Sequence, residues 1–112
     1  MAWTSLGEVT VTVAGTPVRA TNNLSDPTLR FPAHAIAFQQ VRANTGKIII
    51  QDRQTPGANN LGRLFVLAVP TANSIPSVSA GVEYAPAAFN LSEVWIDADI
   101  GGEKCLVSCI QA

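Results

Sequence analysis

In several segments of this chain apolar and polar residues alternate one by one, the two-residue period of a half-buried strand. In "GEVTVTVAG", Val9, Val11 and Val13 fall on one face and Thr10 and Thr12 on the other. In "SEVWIDADI", Val94, Ile96, Ala98 and Ile100 oppose Trp95, Asp97 and Asp99. The last segment, "KCLVSCIQA", puts Cys105, Val107 and Cys109 together. "HAIAFQQVRA" and "KIIIQD" read as two further strands, joined at Asn44-Thr45-Gly46 into a β-hairpin. There Gly46 is expected to take a positive φ, which Asn44 also tolerates. "RLFVLAVP" is apolar throughout and reads as a strand buried on both faces.

No segment keeps a helical period, and prolines and glycines punctuate the chain every few residues. "TPVRAT" extends the first strand past Gly15. "NNLSDPTLRFPA", "RQTPGANNLG" and "TANSIPSVSAG" read as loops, and "VEYAPAAF" as a short edge strand ended by Pro86. Gly101-Gly102 reads as a hairpin turn with two positive φ angles. The expectation is one all-β domain over residues 1–112, a β-sandwich or jelly roll of seven or eight short antiparallel strands. Residues 1–7 are expected to form an extended arm.

The run "RANTGKIIIQDR" holds a Gly-Lys pair and raises the question of a phosphate loop. That motif needs a glycine where Val41 stands, and Ser or Thr where Ile48 stands. Three consecutive isoleucines favour a strand over the helix such a loop requires. The stretch therefore reads as a turn feeding a strand.

Composition narrows the function. The chain is 47% hydrophobic and 13% charged, against a usual charged share of about 25%. So small a charged fraction points to a surface partly covered by partners. The net charge of −1 provides no basic field for nucleic acid. The arginines and Lys47 all lie in residues 1–63, while five of the acidic residues lie in 64–112. An ordinary mixed surface is the favoured account of this bias; the sharper one is complementary faces on neighbouring copies. No run of 18 apolar residues or signal-like N-terminus is present, so neither a membrane span nor export is expected.

Candidate chemistry is sparse. His34 is the one histidine and reads as a partly buried structural residue. Cys105 and Cys109, in one strand, stand about 13 Å apart, too far for a disulfide. Both are expected to be reduced and buried. With His34 they supply at most three of the four ligands zinc needs. Asp97 and Asp99 share a face where a hard cation could sit, but a solvated strand edge accounts for them without any ion and is the favoured reading. Asn90-Leu91-Ser92 matches a glycosylation triplet, which has no meaning without export. No cofactor is expected, and no catalytic residue emerges. Trp95 lies opposite the aliphatic face, either as an interface anchor or packed under its own chain. Trp3 raises the same issue near the N-terminus.

Taken together, Ala14–Val18, Ala43–Ile50 and Ile96–Ala98 carry a resemblance. "AGTPV" after a Val/Thr strand, "ANTGKIII", and "IDA" before a Gly-rich turn resemble small virion structural proteins of tailed bacteriophages. In many such proteins a glycine opens the segment after the second of the paired strands; here Gln51-Asp52-Arg53-Gln54-Thr55 stands there. The resemblance implies a non-enzymatic capsid decoration or cement protein, made in the host cytoplasm and carried on the virion. The implied partners are the major capsid protein and further copies of the chain, as a trimer. The implied interface residues are Trp3, Arg42, Arg53 and Trp95. Other readings are a head-fibre, tail or connector module, a carbohydrate-binding sandwich, and a small enzyme.

Overall fold

The computed structural model describes residues 2–70, 78–82 and 89–112. Among them are nine strands: β1 (Thr4–Val11), β2 (Val18–Arg19), β3 (Pro32–Gln40), β4 (Ile48–Gln51), β5 (Arg63–Leu67), β6 (Val78–Val82), β7 (Phe89–Asn90), β8 (Trp95–Ala98) and β9 (Glu103–Gln111). Two short 3-10 turns, Ala58–Asn60 and Leu91–Glu93, are the helical elements among these residues.

The strands form two antiparallel sheets. One has the order β1-β9-β3-β6, with β7 also pairing β3; the other has the order β2-β8-β4-β5. Setting aside the two-residue β7, each successive strand crosses to the other sheet except β5, which folds back on β4, giving the jelly-roll pattern of two interlocked Greek keys. The expected all-β sandwich is therefore the fold. Its radius of gyration, 13.3 Å, is that of a compact domain of about 100 residues.

Alternation explains the core. β9 buries Cys105, Val107 and Cys109 and leaves the residues between them half-covered. Val9, Val11, Ile36 and Phe38 join them from the same sheet, facing Ile48, Ile50, Leu67, Ile96 and Ala98 from the other. Each fully buried aliphatic side chain contributes about 1.5–3 kcal/mol through removal from water. Both cysteines are free thiols. Burial pushes the Cys105 thiol up to about 12 from its ordinary 9.0.

Several local expectations change. β3 and β4 belong to different sheets, so residues 41–47 form an arch across the sandwich rather than a hairpin turn. Short-range pattern identifies the two strands but not which sheet each joins. Gly46 is not among the positive-φ glycines, nor is Asn44 among the positive-φ residues. What Gly46 supplies is room: a Cβ there would lie 2.9 Å from Glu103 Oε1 and 3.1 Å from Ile100 Cγ1. Residues 99–102 likewise arch from β8 to β9, and of the two glycines only Gly102 has a positive φ, +86.

The polar residues of the arches are buried for a reason. A chain leaving one sheet for another loses its ladder partners, and buried backbone groups need replacements. Gly46 N–H donates to Glu103 Oε1 at 2.7 Å, and Thr45 N–H donates to Oε2. The Asn44 side chain pairs with the Lys104 main chain, donating to its O at 2.6 Å and accepting from its N–H at 3.1 Å. It also donates to Gln40 Oε1, while Gln40 Nε2 donates to Gly46 O at 3.1 Å. The Asn44–Gly46 arch does hold an anion on successive backbone N–H groups. That anion is the protein's own Glu103.

Val13 and Ile100, expected on the core face, lie beyond their strand ends and are exposed. Of the expected N-terminal arm, Thr4–Gly7 is part of β1, leaving Ala2 and Trp3 as the described residues ahead of it. β6 falls within a segment read as loop. The expected edge strand "VEYAPAAF" lies largely outside the described residues.

Candidate functional site

β5 departs most from expectation, and its departure makes a surface. An apolar run with no alternation reads as buried on both faces. β5 is instead the edge of the four-stranded sheet, paired to β4 alone among the described strands. Its core-facing Leu67 is buried. Leu64 is 54% exposed and Val66 50%, with Leu61 at 60% and Val69 at 41% flanking them.

Register extends this stripe across the sheet. Val66 lies opposite Ile49, and Ile49 opposite Asp97. Gln51, next on the same face, lies opposite Trp95, which lies opposite Arg19. The loop leading into β5 is held from within: Gln51 is fully buried and donates through Nε2 to Arg53 O at 3.0 Å. Asp52 N–H donates to Gly62 O at 2.8 Å. Gly62 has φ +98, and a Cβ there would collide with Arg53 Nε and Cδ, so the Arg53 stem crosses directly over it.

Of the four residues proposed from sequence, Trp95 is half-buried, with the Arg19 guanidinium 4.4 Å from its ring centre. Arg19 also donates to Ser92 O at 2.6 Å. One face of the indole is thus covered by its own chain, and cation–π attraction holds the cover in place. Arg53 is exposed and pairs with its neighbour Asp52 at 2.7 Å; this hydrogen bond holds the Asp52 carboxyl below its usual range. Trp3 is 53% exposed, ahead of β1 in the other sheet. Arg42 is exposed in the 41–47 arch. The arches join strands at the end of the sandwich away from Trp95 and the 52–62 loop. The four candidates therefore do not converge on one site.

The aspartate pair also separates. Asp97 is buried, and its Oδ1 accepts from Gly15 N–H at 2.9 Å and from Ala98 N–H at 2.8 Å. It closes the β1–β2 connection and is no solvated edge. Asp99 is exposed. Among the described residues no cluster of three or more His, Cys, Asp or Glu side chains could hold a metal. His34 is half-buried on β3. A buried thiol with a raised pKa is a poor nucleophile, which applies to Cys105. Asn90 Oδ1 accepts from Phe31 N–H at 2.9 Å and from the Ser92 hydroxyl at 2.8 Å, a local cap on the Leu91–Glu93 turn.

A cavity of about 460 Å³ opens between the arches, lined by residues that include Glu8, Asn44, Glu103 and Lys104. Its Lys104 and Glu8 pair at 3.5 Å. Both Glu103 oxygens already accept from arch amides, so the cavity floor is structural. Leu61, Leu64, Val66 and Val69 were not singled out in the sequence. The available signal was the low charged fraction, which requires some outward positions to be apolar. Comparison with protein-family models, with curated proteins and with solved structures gave no match.

Proposed function

We infer that this chain is a structural protein acting by association: a small virion protein of a tailed phage that decorates and cements the capsid. The observation that carries the reading is a run of exposed apolar side chains, Leu64 and Val66 on edge strand β5 with Leu61 and Val69 flanking it in sequence, on a sandwich with few charges. Large apolar residues grouped on a surface mark places where another surface is received. The sequence resemblance supplies the particular setting, and the jelly roll is compatible with it, although a fold alone does not define a function.

The physics of a cement is linkage. A ligand that binds the expanded shell and not its precursor lowers the free energy of the expanded state. Repeated copies of the site, presented by the shell's symmetry, add multivalency. The partners are the major capsid protein and other copies of the chain, with a trimer suited to three-fold positions. With a net charge of −1, binding relies on surface burial rather than on a field that attracts nucleic acid.

The test is co-sedimentation of the purified protein with expanded and unexpanded empty shells built from the capsid protein of the same phage. Saturable binding to expanded shells is expected. A protein that remains monomeric at high concentration and sediments with neither shell overturns the reading.

A further inference from the structure

We propose that residues 52–62 form a latched flap: the loop peels away from the ends of β4 and β5 while the sandwich stays folded, and the Gln51 side chain is the latch. Three observations meet in this one loop, and none depends on the association reading.

The first is burial. From Asp52 to Leu61 every residue is exposed except the half-buried Pro56. The loop therefore places almost no apolar surface in the core, and segments with few buried contacts are those that open locally. Its ends lie close together, because Asp52 N–H donates to Gly62 O at 2.8 Å. Two further main-chain bonds stay inside it: Gly57 N–H donates to Leu61 O at 2.8 Å, and Leu61 N–H to Ala58 O at 3.2 Å. This is the build of an Ω-loop, compact and closed on itself. Its ties to the sheet are the Asp52–Gly62 neck, the Gln51 side chain, and an exposed bond from Arg63 to Asn60 Oδ1 at 2.8 Å.

The second is backbone conformation. Asn59 and Asn60 have φ 57 and 63, and they are the non-glycine residues with positive φ among those described. Asparagine visits the left-handed region singly, and two in succession hold the tip of the loop where L-residues are disfavoured. A released tip is free to leave that conformation.

The third is the latch itself. Gln51 is fully buried, and its Nε2 donates to Arg53 O at 3.0 Å and to Gln54 O at 3.4 Å. These two carbonyls fix the orientation of the amide, because turning it over would set Oε1 against both. Oε1 then has no hydrogen-bond partner, alone in this among the buried side-chain oxygens and nitrogens of the described residues. A buried acceptor left unpaired costs free energy, so the side chain that closes the loop also opposes its closure. Opening gives water to Oε1 and to the two carbonyls alike.

The closed flap covers the middle of a row that crosses all four strands of the sheet. Arg19 lies opposite Trp95, Trp95 opposite Gln51, and Gln51 opposite Arg63. Opening adds an exposed amide to that row beside the half-buried Trp95, so the flap sets how much of the row is available for contact.

Native-state hydrogen exchange of the full chain, followed by NMR at rising sub-denaturing urea, tests this. The reporters are the Gln51 side-chain amide and Asp52 N–H; Gly46 N–H, held by Glu103, is the reference for the sandwich. Both loop reporters should exchange at least about 100-fold faster than Gly46, at a rate that urea barely changes, as a local opening does. Gln51→Glu sets an oxygen against both carbonyls. It should speed Asp52 exchange at least about tenfold while leaving Gly46 unchanged, because a buried carboxylate without donors drives the loop open. Loop reporters that exchange as slowly as Gly46, with its urea dependence, overturn the proposal, and the parent protein alone decides that. A folded Gln51→Glu variant with unchanged Asp52 exchange overturns it as well.

Discussion

The Gly46 amide donates to Glu103 Oε1 at 2.7 Å, tying the arch that leaves β3 to the first residue of β9. This bond joins the crossovers that make the fold a jelly roll rather than a meander of hairpins. Thr45 N–H donates to the other oxygen, so one carboxylate satisfies two backbone groups with no ladder partner. Glu103→Ala should destabilise the domain by about 2–4 kcal/mol, since a buried donor left unpaired costs about 1–3 kcal/mol. Glu103→Gln keeps one acceptor and should lose about half as much. Urea unfolding of the three proteins checks the order; an alanine variant as stable as the parent removes the arch from the account.

Gly46 and Gly15 should fail differently when changed to alanine. At Gly46 the new Cβ meets Glu103 Oε1 at 2.9 Å and Asp99 Cβ at 3.2 Å, whereas at Gly15 it meets nothing within 4 Å. Gly46→Ala is an overpacking change of about 1–3 kcal/mol. Its penalty should shrink in a Glu103→Ala background, as coupled neighbours require. Gly15→Ala should cost about 1–2 kcal/mol, from placing a side chain at φ +84, with no dependence on Glu103. A double-mutant cycle by denaturant unfolding distinguishes the two.

Cys105 should weaken the fold in alkali. Its thiol titrates at about 12 in the fold against an ordinary 9.0. The native state therefore retains a proton that the unfolded state loses above pH 9. The stabilisation is fully present below pH 9 and falls as pH rises towards 12, by up to about 1.4 kcal/mol per pH unit. Cys105→Ala should flatten this segment of the stability profile while lowering stability at neutral pH. Native-state labelling of Cys105 and Cys109 by a bulky thiol reagent should be slow; rapid labelling contradicts their burial.

Trp95 should affect both folding and association. Arg19 covers one indole face, so Trp95→Ala removes an intramolecular contact together with any intermolecular one. Association should weaken by at least about 1–2 kcal/mol if the free part of the ring is an anchor. Arg19→Ala uncovers the ring and removes the donor to Ser92 O. Sedimentation together with unfolding separates the contributions: a Trp95→Ala variant that associates like the parent leaves Trp95 with a structural role alone.

Period-two alternation made β1, β8 and β9 legible, along with the burial of Val107 and both cysteines, because one buried face leaves a local signature. Which sheet each strand joins was not legible. A glycine-containing link between two strands looks the same whether it folds back or arches across, and Gly46 reveals its role only beside Glu103, 57 positions away. For the same reason Asp97 read as a surface residue until Gly15 was found donating to it. β5 misled most, since an apolar run is silent about whether its outer neighbour is a strand or water. The candidate surface was therefore legible only as a shortage of charge.

The most direct measurement of the central claim is an electron-microscopic difference map between expanded shells incubated with this protein and bare expanded shells of the same phage. Discrete density at capsomer junctions is expected, of a size fitting copies of an 11.8 kDa sandwich and absent from unexpanded shells. A featureless difference map at saturating protein concentration would contradict a cement function.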